Sequence, residues 1–424
     1  MTIAQQTKLT NSNNNDIEPS ARASLNNVIQ TTPYIDIVVP HSNLFEGATE
    51  VILALFPQWT KEELDFLQCK DGITNKLVRV THSPTNFKVL VRAYGKGSEQ
   101  IIDRRQEIIN ILTVSAQGLC PPLYGRFRNG LVYGYIDGSI YSVDEMRDPH
   151  KSALVAKKLA RWHQVALQED EVEENGVTRK VTKLWSTMWK WIEQGDDVLK
   201  YFNERNIGTH SCLSVPTLYD SAKIQDIFEK NFDVSILKKE LEYLQTELSS
   251  LDAPIVFAHN DLLYGNIIYN GENDEASFID YEYGCYGYRG FDIGNHFNEF
   301  AGFECDYSKY PEKSFQYKWL DNYLRASSPD RTPTIADIDA LYNEVDRFSL
   351  ASHFYWGLWA MVQASLSDID FDYMSYAVLR FSEYEKRKRE VMHDGGGFSV
   401  ILADSDKNID PIEIACERTV ELEE

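Results

Sequence analysis

Positive charge is scarce in this sequence of 424 residues. It contains 42 lysines and arginines against 65 aspartates and glutamates, which gives a formal net charge of −23 at pH 7. No basic stripe is available to neutralise phosphates, so the composition argues against nucleic-acid binding. A bound nucleotide would have to be held by local cations and Mg²⁺, because the overall field does not attract it. An acidic surface suits a cationic substrate better, although it commonly serves solubility alone.

Long apolar runs and paired cysteines are also lacking. No run is long enough to span a bilayer, and the polar stretch 5–15 has no apolar segment of the kind found in secretory signals. The six cysteines are scattered, without a C-x-x-C pair or a metal-ligand spacing: Cys69, Cys120, Cys212, Cys285, Cys305 and Cys416. These absences predict reduced thiols in a cytoplasmic protein without a membrane span.

The pattern of apolar residues divides the chain into four segments. Residues 1–45 predict a mostly disordered polar tail: residues 1 to about 30 are rich in Gln, Asn, Thr and Ser, and a short apolar run at 35–40 is a candidate strand. Residues 46–137 predict a small β-rich lobe, with strands at 76–82, 87–94 and 131–136 and helices at 48–56 and 101–114. Residues 138–393 predict a mostly helical lobe, and residues 394–424 an acidic tail. The whole predicts an α+β fold with the two-lobed architecture of protein kinases and a nucleotide between the lobes.

The stretch around residue 260 carries the strongest functional signal. His259-Asn260-Asp261 is followed by Asn266 and, about a dozen residues later, by Asp280. Short apolar runs at 255–258, 267–269 and 276–279 predict buried strands beside these polar residues. Phosphoryl transfer from a nucleotide requires one carboxylate to hold the acceptor hydroxyl, and an Asn and an Asp to hold Mg²⁺. The spacing D-x4-N with a later Asp is similar to the catalytic loop and the magnesium aspartate of kinases.

This pattern predicts individual roles. Asp261 is predicted to be the catalytic base, and Asn266 and Asp280 the Mg²⁺ ligands. His259 is predicted to orient the loop by hydrogen bonding rather than to transfer protons. The alternative is that the Asp and Asn residues only stabilise turns and that His259 is a core residue. That alternative explains an isolated H-x-D tripeptide better than it explains the combined pattern.

Candidate phosphate ligands precede this region. A turn that contains Gly72 and Thr74, followed by Asn75, can bring backbone N–H groups and polar side chains to phosphate oxygens. Asp-Gly is also an ordinary turn, which is the alternative here. Arg92 ends an apolar strand where protein kinases place a phosphate-contacting Lys, and Glu107 on the next helix is its candidate partner. The alternative for this pair is a surface ion pair, which contributes little.

Candidate ligands for a cationic substrate follow the catalytic loop. Glu282 is predicted to lie on the same side of an extended strand as Asp280, and to join the Mg²⁺ shell or the acceptor pocket. Asp292 is predicted to tie down the catalytic loop. Glu299 is the candidate anion for the cationic end of a substrate.

Two tryptophans offer a candidate aromatic wall. Trp356 and Trp359 are three residues apart in a predicted helix, so they share one helix face. Pairs at this spacing are more often part of the core. The alternative is a wall that contacts an amine cation, worth about 0.5–2 kcal/mol for each cation–π contact.

The chain resembles the choline/ethanolamine kinases over about residues 46–390, in the segments DGITNKL, KVLVRAYG, HNDLLYGNIIYN, FIDYEY, GFDIGNHFNEF and WGLWAMVQA. The segments FDIGNHFNEFAG and FDYMSYAVLRFSEY are more similar to the ethanolamine branch. The resemblance implies ATP and Mg²⁺ as cosubstrates and phosphoryl transfer to the alcohol of an amino-alcohol. It also implies a nucleotide loop at Thr74 and Asn75, a phosphate clamp at Arg92 with Glu107, and Mg²⁺ ligands at Asn266 and Asp280. The base that it implies is Asp261, and the implied amine pocket contains Glu299, Tyr307, Trp356 and Trp359.

The resemblance thus implies an ethanolamine kinase, which makes phosphoethanolamine in the first step of phosphatidylethanolamine synthesis from free base. A choline kinase or an enzyme that uses both amines is the closest alternative, since a quaternary ammonium needs aromatic faces and a primary ammonium needs discrete acceptors. An aminoglycoside-type phosphotransferase shares the H-x-D-x4-N pattern, but the Trp pair and Arg92 favour an amino-alcohol. A pseudokinase that serves as an interaction module is disfavoured because all three catalytic residues are present. The sequence leaves the oligomeric state open, with a homodimer as one option.

Overall fold

The computed structural model describes residues 29–69, 75–95, 98, 102–166, 171–174, 177–205, 234–366 and 371–392 of the chain. Within them, a sheet with two helices, called the small lobe below, precedes a helix-rich part with short strands, called the large lobe. This order confirms the predicted α+β fold of two lobes. No helix among the described residues is long and apolar enough to cross a membrane.

The small lobe contains a six-stranded sheet in the order β1-β5-β6-β4-β3-β2. Neighbouring strands are antiparallel except for β1 and β5, which are parallel. Its elements are β1 Tyr34–Ile35, α1 Leu44–Leu55, β2 Leu64–Gln68, β3 Asn75–His82, β4 Phe87–Tyr94, α2 Arg104–Ala116, β5 Leu123–Phe127 and β6 Gly130–Gly134.

The hairpin of β3 and β4 positions Arg92. Val89 and Val91 of β4 are buried in a cluster that includes residues of α1. Side chains alternate along a strand, so Arg92 faces the opposite side of the sheet. That side faces α2, whose start is fixed by Asp103: its carboxylate accepts hydrogen bonds from the N–H groups of the second and third helical residues at 3.1 and 3.0 Å. The cap places Glu107 in the first turn, close to Arg92.

The large lobe is organised around one long helix. Its helices are α3 Pro149–Trp162, α4 Leu184–Arg205, α5 Val234–Ser249, α6 Arg289–Asn298, α7 Lys313–Ser327, α8 Ile335–Leu366 and α9 Tyr373–Met392. Every residue of α8 from 348 to 363 is buried, as expected for a helix surrounded by others. Gly294 lets α6 approach α8, since a Cβ there would lie only 2.9 Å from the Val345 carbonyl oxygen and the Ser349 nitrogen.

Short strands bring two loops of the large lobe together. These strands are β7 Ser139–Ile140, β8 Glu171–Glu174, β9 Val177–Lys180, β10 Ile255–Ala258, β11 Ile267–Asn270, β12 Glu275–Phe278 and β13 Cys285–Tyr288. Strand β10 pairs with β13, and β11 pairs with β12 and β7, all antiparallel. The segment 259–266 after β10 therefore lies beside the segment 279–284 between β12 and β13.

Some elements differ from the sequence prediction. Strands β2, β5, β7, β8, β9 and β13 were not predicted; β5 and β13 each contain a glycine, a residue that is depleted in strands. Residues 29–45, assigned to the polar tail, contain β1 and the start of α1. The rest of that tail, residues 1–28, and the predicted acidic tail 394–424 lie outside the described residues.

Candidate active site

The segment after β10, called the catalytic loop below (residues 259–266), is held by one buried carboxylate. Asp292 of α6 accepts hydrogen bonds from the backbone N–H groups of His259 at 2.7 Å and Asn260 at 2.8 Å. His163 contacts the same carboxylate at 2.9 Å. Burial opposes ionisation of Asp292, but the hydrogen bond and charge of His163 lower its pKa below the ordinary value. These are the contacts expected of a residue that ties down the loop.

His259 has the geometry of an orienting residue. Its Nε2 atom lies 3.0 Å from the Ile279 carbonyl oxygen, which connects the catalytic loop to the neighbouring segment. Burial lowers the pKa of His259, so the neutral imidazole is favoured. The next residue, Asn260, has a φ of 65°, a conformation that Asn tolerates better than most residues. Together these contacts fix the direction of the following Asp261.

Asn266 holds the predicted base. Its Nδ2 atom donates to the Asp261 carbonyl oxygen at 2.8 Å and to the Asp261 Oδ2 atom at 3.0 Å. Both bonds use the amide nitrogen, so the amide oxygen of Asn266 can serve as a ligand. The pKa of Asp261 is raised well above its ordinary value, first by burial and then by the charges of Asp280, Glu299 and Glu282.

Asp280 lies next to Asn266 because the Ile279 N–H donates to the Asn266 carbonyl oxygen at 3.0 Å. It follows β12 by two residues and has a φ of 64°. Its Oδ1 atom lies 2.9 Å from Arg92 Nη2. Burial raises the pKa of Asp280 to about 6, with Arg92 acting in the opposite direction and Glu282 in the same one.

An Asn amide oxygen and an Asp carboxylate are oxygen donors of the type that Mg²⁺ prefers. No cluster of three or more His, Cys, Asp or Glu residues that could hold a metal is present among the described residues. The donor set therefore fits an ion that completes its shell with water and phosphate oxygens, as Mg²⁺ commonly does. Burial is the main cause of the raised pKa values of Asp261 and Asp280, and neighbouring carboxylates raise both pKa values further.

The predicted pair of Arg92 and Glu107 is confirmed, with 3.0 Å between Nη1 and Oε1. Both side chains are buried, at 6% and 0% exposure, so the alternative of a surface ion pair is wrong. Arg104, which was not predicted to belong to the site, lies 3.0 Å from Glu107. Its signal in the sequence is only its position three residues before Glu107 at the start of the same helix.

Glu282 differs from the prediction. Residues 282–283 form a turn rather than an extended strand, and the left-handed conformation of Asp280 redirects the chain. The Glu282 carboxylate contacts Arg92, Arg104 at 2.9 Å and Asn75 at 3.2 Å. The extended strand that the prediction assumed is absent, and the carboxylate faces the arginines of the small lobe; its role at the Mg²⁺ shell or the acceptor pocket stays a prediction. Asn75 begins β3 in this cluster, while Gly72 and Thr74 lie outside the described residues.

The predicted amine residues lie around α8 and α9. Glu299 Oε1 accepts a hydrogen bond from Arg380 at 2.9 Å. Trp356 and Trp359 share one helix face as predicted, with ring centroids 5.3 Å apart. The Trp359 ring also lies 5.7 Å from the ring of Tyr373 and 6.4 Å from that of Tyr376. Arg380 and the two tyrosines were missed, because nothing in the local spacing of α9 relates them to Glu299.

The Trp pair belongs to the buried core, as the first of the two readings expected. The two side chains are each 5% exposed and belong to the largest buried cluster of the large lobe. Their indole N–H groups donate to Asn295 at 2.7 Å and to the Tyr283 hydroxyl at 2.8 Å. They are core residues with fixed orientations, and their role as a wall for an amine cation stays a prediction.

Tyr307 lies near this group but faces another residue. Its ring packs against that of His353 with centroids 5.2 Å apart. Neither ring nitrogen of His353 has a hydrogen-bond partner among the described residues. The place of Tyr307 in an amine pocket stays a prediction.

A cavity of about 710 Å³ lies away from these residues, between α7 and α8. Its arginines include Arg289, which pairs with Glu344, and Arg331, which pairs with Asp337. None of the residues predicted for the active site lines it. The size of that cavity therefore does not mark the site of phosphoryl transfer.

Comparisons with known proteins show what the chain as a whole is similar to. The family model for choline/ethanolamine kinase matches residues 66–385. The chain is 38% identical to ethanolamine kinase 2 of Rattus norvegicus, over 85% of each protein. Among solved structures, an ethanolamine kinase of Plasmodium vivax aligns with a TM-score of 0.67 and 27% identity, covering 88% of this chain and 95% of that one. A choline kinase of Cryptosporidium parvum has the same fold, with a TM-score of 0.64 and 21% identity over 83% of this chain and 97% of that one.

Proposed function

The chain belongs to the choline/ethanolamine kinase family, and on this premise we propose that it transfers the γ-phosphoryl group of ATP to the hydroxyl of ethanolamine. The products are phosphoethanolamine and ADP. The observation that carries the proposal is the place of Asp261, whose pKa is raised by burial and then by the charges of Asp280 and Glu299. The Asp261 carboxylate thus interacts electrostatically with Asp280, on the proposed phosphate side, and with Glu299, on the proposed amine side.

Asp261 acts at the hydroxyl end of the substrate. Asn266 donates to its Oδ2 atom, so Oδ1 is the oxygen that accepts the substrate hydroxyl. The carboxylate orients this hydroxyl toward the phosphoryl group and takes its proton as the new O–P bond forms. General-base assistance of this kind typically contributes ~10²–10⁴-fold in rate.

The phosphate end depends on residues from both lobes. The Asn266 amide oxygen and the Asp280 carboxylate would hold Mg²⁺, which neutralises charge on the β- and γ-phosphates when bound. Arg92 is fixed by Glu107 and contacts phosphate oxygens through its planar fork. Asn75 is the described residue of the proposed nucleotide site, and Gly72 and Thr74, which lie outside the described residues, stay predicted members of it.

The ammonium end lies against Glu299 and the Trp pair. Arg380 already donates to Glu299 Oε1, so Oε2 accepts an ammonium N–H of ethanolamine. Choline carries no N–H and gains only the aromatic and electrostatic contacts. The rings of Trp359 and Tyr373 could still enclose a quaternary ammonium, and this makes choline phosphorylation the second candidate. Membership of the family favours either amino-alcohol over an aminoglycoside.

Side-by-side kinetics on the purified protein test the proposal. Product formation from ethanolamine and from choline is followed by ³¹P NMR, with ATP and Mg²⁺ present. We expect kcat/KM to be at least ~10-fold higher for ethanolamine than for choline. Choline cannot form the charge-assisted hydrogen bonds of a primary ammonium, and their loss has an effect of this order. A preference for choline would overturn the proposed substrate, and no transfer to either amine would overturn the kinase.

A matched pair of variants tests the amine site. Glu299→Gln removes the charge that faces the ammonium and is expected to raise KM for ethanolamine ~10-fold or more, because charged hydrogen bonds are worth about 1.5–3 kcal/mol. KM for ATP should stay unchanged. Glu304→Gln is the control, since Glu304 is exposed and lies one turn beyond Glu299. Equal amine kinetics for the two variants would remove Glu299 from the pocket.

We place the reaction in the cytoplasm, where phosphoethanolamine enters phosphatidylethanolamine synthesis from free base. The homodimer remains a prediction. Sedimentation equilibrium of the purified chain distinguishes a mass near 48.8 kDa from twice that value.

A further inference from the structure

One side-chain amide connects the catalytic loop to the amine wall. Asn295 of α6 is fully buried, and its Nδ2 atom donates to the Asn260 carbonyl oxygen at 3.2 Å. Its Oδ1 atom accepts from Ser352 Oγ at 2.8 Å and from Trp356 Nε1 at 2.7 Å. Asn260 precedes the base Asp261 directly, so a single residue touches both ends of the proposed substrate site.

The orientation of this amide has only one satisfactory form. An indole N–H can donate but not accept, and a backbone carbonyl can accept but not donate. Rotating the Asn295 amide by 180° would place its NH₂ group against the indole N–H of Trp356, where two donors would meet. Its oxygen would then face the Asn260 carbonyl oxygen, where two acceptors would meet. Each unsatisfied buried group costs about 1–3 kcal/mol. The Asn295 amide is therefore held in one orientation, and it fixes the catalytic loop relative to α8.

The same chain of hydrogen bonds continues to the proposed amine ligand. Ser352 donates to Asn295 and accepts from Arg380 Nη2 at 3.1 Å. Arg380 Nη1 donates to Glu299 Oε1 at 2.9 Å. All of these side chains are buried, with exposures from 0% to 6%. Glu299 and the catalytic loop are thus joined through side chains that have little freedom to move.

We propose that Asn295 is a positioning residue that fixes the spacing between Asp261 and the amine pocket, and that this spacing selects amino-alcohols by the length of their carbon chain. The inference rests on the proposed function. A substrate held at both ends reacts only when its hydroxyl lies in line with the phosphoryl group, and a displacement of ~1 Å can cost ~10²-fold in rate. A longer amino-alcohol with its ammonium in the same pocket brings its hydroxyl to the wrong place.

The test compares ethanolamine with 3-aminopropan-1-ol on matched variants. Asn295→Leu keeps the shape of the side chain and removes its three hydrogen bonds. Asn298→Leu is the control: Asn298 is equally buried on α6 and donates to the Ser349 carbonyl oxygen of α8 at 3.0 Å. It has no contact with the catalytic loop or with Trp356 in the hydrogen bonds of the described residues.

We expect Asn295→Leu to lower kcat for ethanolamine ~10- to 100-fold while KM for ATP stays within about twofold. The ratio of kcat/KM for ethanolamine over 3-aminopropan-1-ol should fall at least about fivefold, because the spacing is no longer fixed. Asn298→Leu should lose stability but keep the wild-type ratio. An equal ratio in the two variants would overturn the inference, since a merely structural role changes stability without changing selectivity.

A milder pair covers the case in which Asn295→Leu does not fold. Ser352→Ala removes one bond to Asn295 and interrupts the connection to Arg380. Ser349→Ala, one turn earlier on α8, removes a bond to the Asp346 carbonyl oxygen and a contact with Tyr310, neither of which involves Asn295 or Arg380. A lower ratio of kcat/KM for ethanolamine over 3-aminopropan-1-ol in Ser352→Ala alone supports the inference. An unchanged ratio in both variants overturns it. If the wild-type enzyme uses choline instead, the proposed substrate is wrong, and the same ratio is measured with choline and its three-carbon homologue.

Discussion

Arg104 of the small lobe lies 2.9 Å from Glu282 of the large lobe. The same Glu282 carboxylate contacts Arg92, and both arginines contact Glu107. The guanidinium of Arg104 also packs over the ring of Tyr94, 4.0 Å from its centroid. Buried ion pairs lose much of their Coulomb energy to desolvation, so this cluster is better explained by positioning than by stability. It fixes Arg92 before a nucleotide arrives.

The first prediction concerns Arg104 itself. Arg104→Lys keeps the charge but cannot reach Glu107 and Glu282 together, because the planar fork is lost. We expect KM for ATP to rise ~3- to 10-fold, with KM for the amine unchanged. Steady-state kinetics at saturating amine provide the measurement. Arg105→Lys, the same change on the adjacent exposed residue, should behave as wild type, and matching kinetics for both variants would count against a role of Arg104 in the phosphate site.

A second prediction concerns the base. Asp261→Asn keeps the shape of the side chain and its place beside Asn266, so the melting temperature should stay within a few degrees of wild type. Turnover is expected to fall ~10²–10⁴-fold, because an amide cannot accept the hydroxyl proton. Coupled-assay rates on protein with a confirmed wild-type melting curve decide the matter. More than a tenth of the activity in this variant would show that Asp261 is not the base.

Asp280 carries the third prediction. Asp280→Asn removes one charge from the proposed Mg²⁺ site while leaving an oxygen ligand. The Mg²⁺ concentration for half-maximal activity should rise ~10-fold or more, and kcat should fall. Titration of activity with Mg²⁺ at fixed ATP is the measurement. Asp274→Asn is a suitable control, since Asp274 also has a positive φ, 53°, and lies in an exposed turn before β12; a similar shift in both titrations would argue against Asp280 as a ligand.

The fourth prediction concerns Asp292. Asp292→Asn leaves one carbonyl oxygen where two carboxylate oxygens accept from the loop N–H groups and His163. At least one buried donor then lacks a partner, which costs about 1–3 kcal/mol in the free energy of unfolding. Urea unfolding followed by circular dichroism measures this cost, and kcat should fall together with stability as the loop loosens.

Asp103→Asn provides the contrast for Asp292. Asp103 also receives two backbone N–H groups, at 3.1 and 3.0 Å, but it is exposed at a helix start where Asn caps as well as Asp. We expect its unfolding free energy to stay within about 0.5 kcal/mol of wild type. If Asp292→Asn were equally mild, the loop would not depend on that carboxylate.

Much of the catalytic loop could be predicted because its determinants are close together in the chain. Asp261, Asn266 and Asp280 lie within one β-hairpin and the loop before it, so their spacing and the flanking apolar runs were enough to place them side by side. The pair of Arg92 and Glu107 could be predicted for a similar reason, since consecutive elements usually pack together. The Trp pair follows from helical periodicity alone.

The sequence by itself therefore determined the two-lobed fold, the composition of the loop and which residues share a helix face. Only the tertiary structure decided which further charges join the pair of Arg92 and Glu107. Two residues beyond Asp280, Glu282 faces the arginines of the small lobe because the left-handed backbone of Asp280 breaks the alternation that an extended strand would have. The meeting of Asn295 with Asn260 and Trp356 joins three segments far apart in the chain. Such contacts depend on how α6 packs between the catalytic loop and α8, and a local pattern of residues carries no information about that packing.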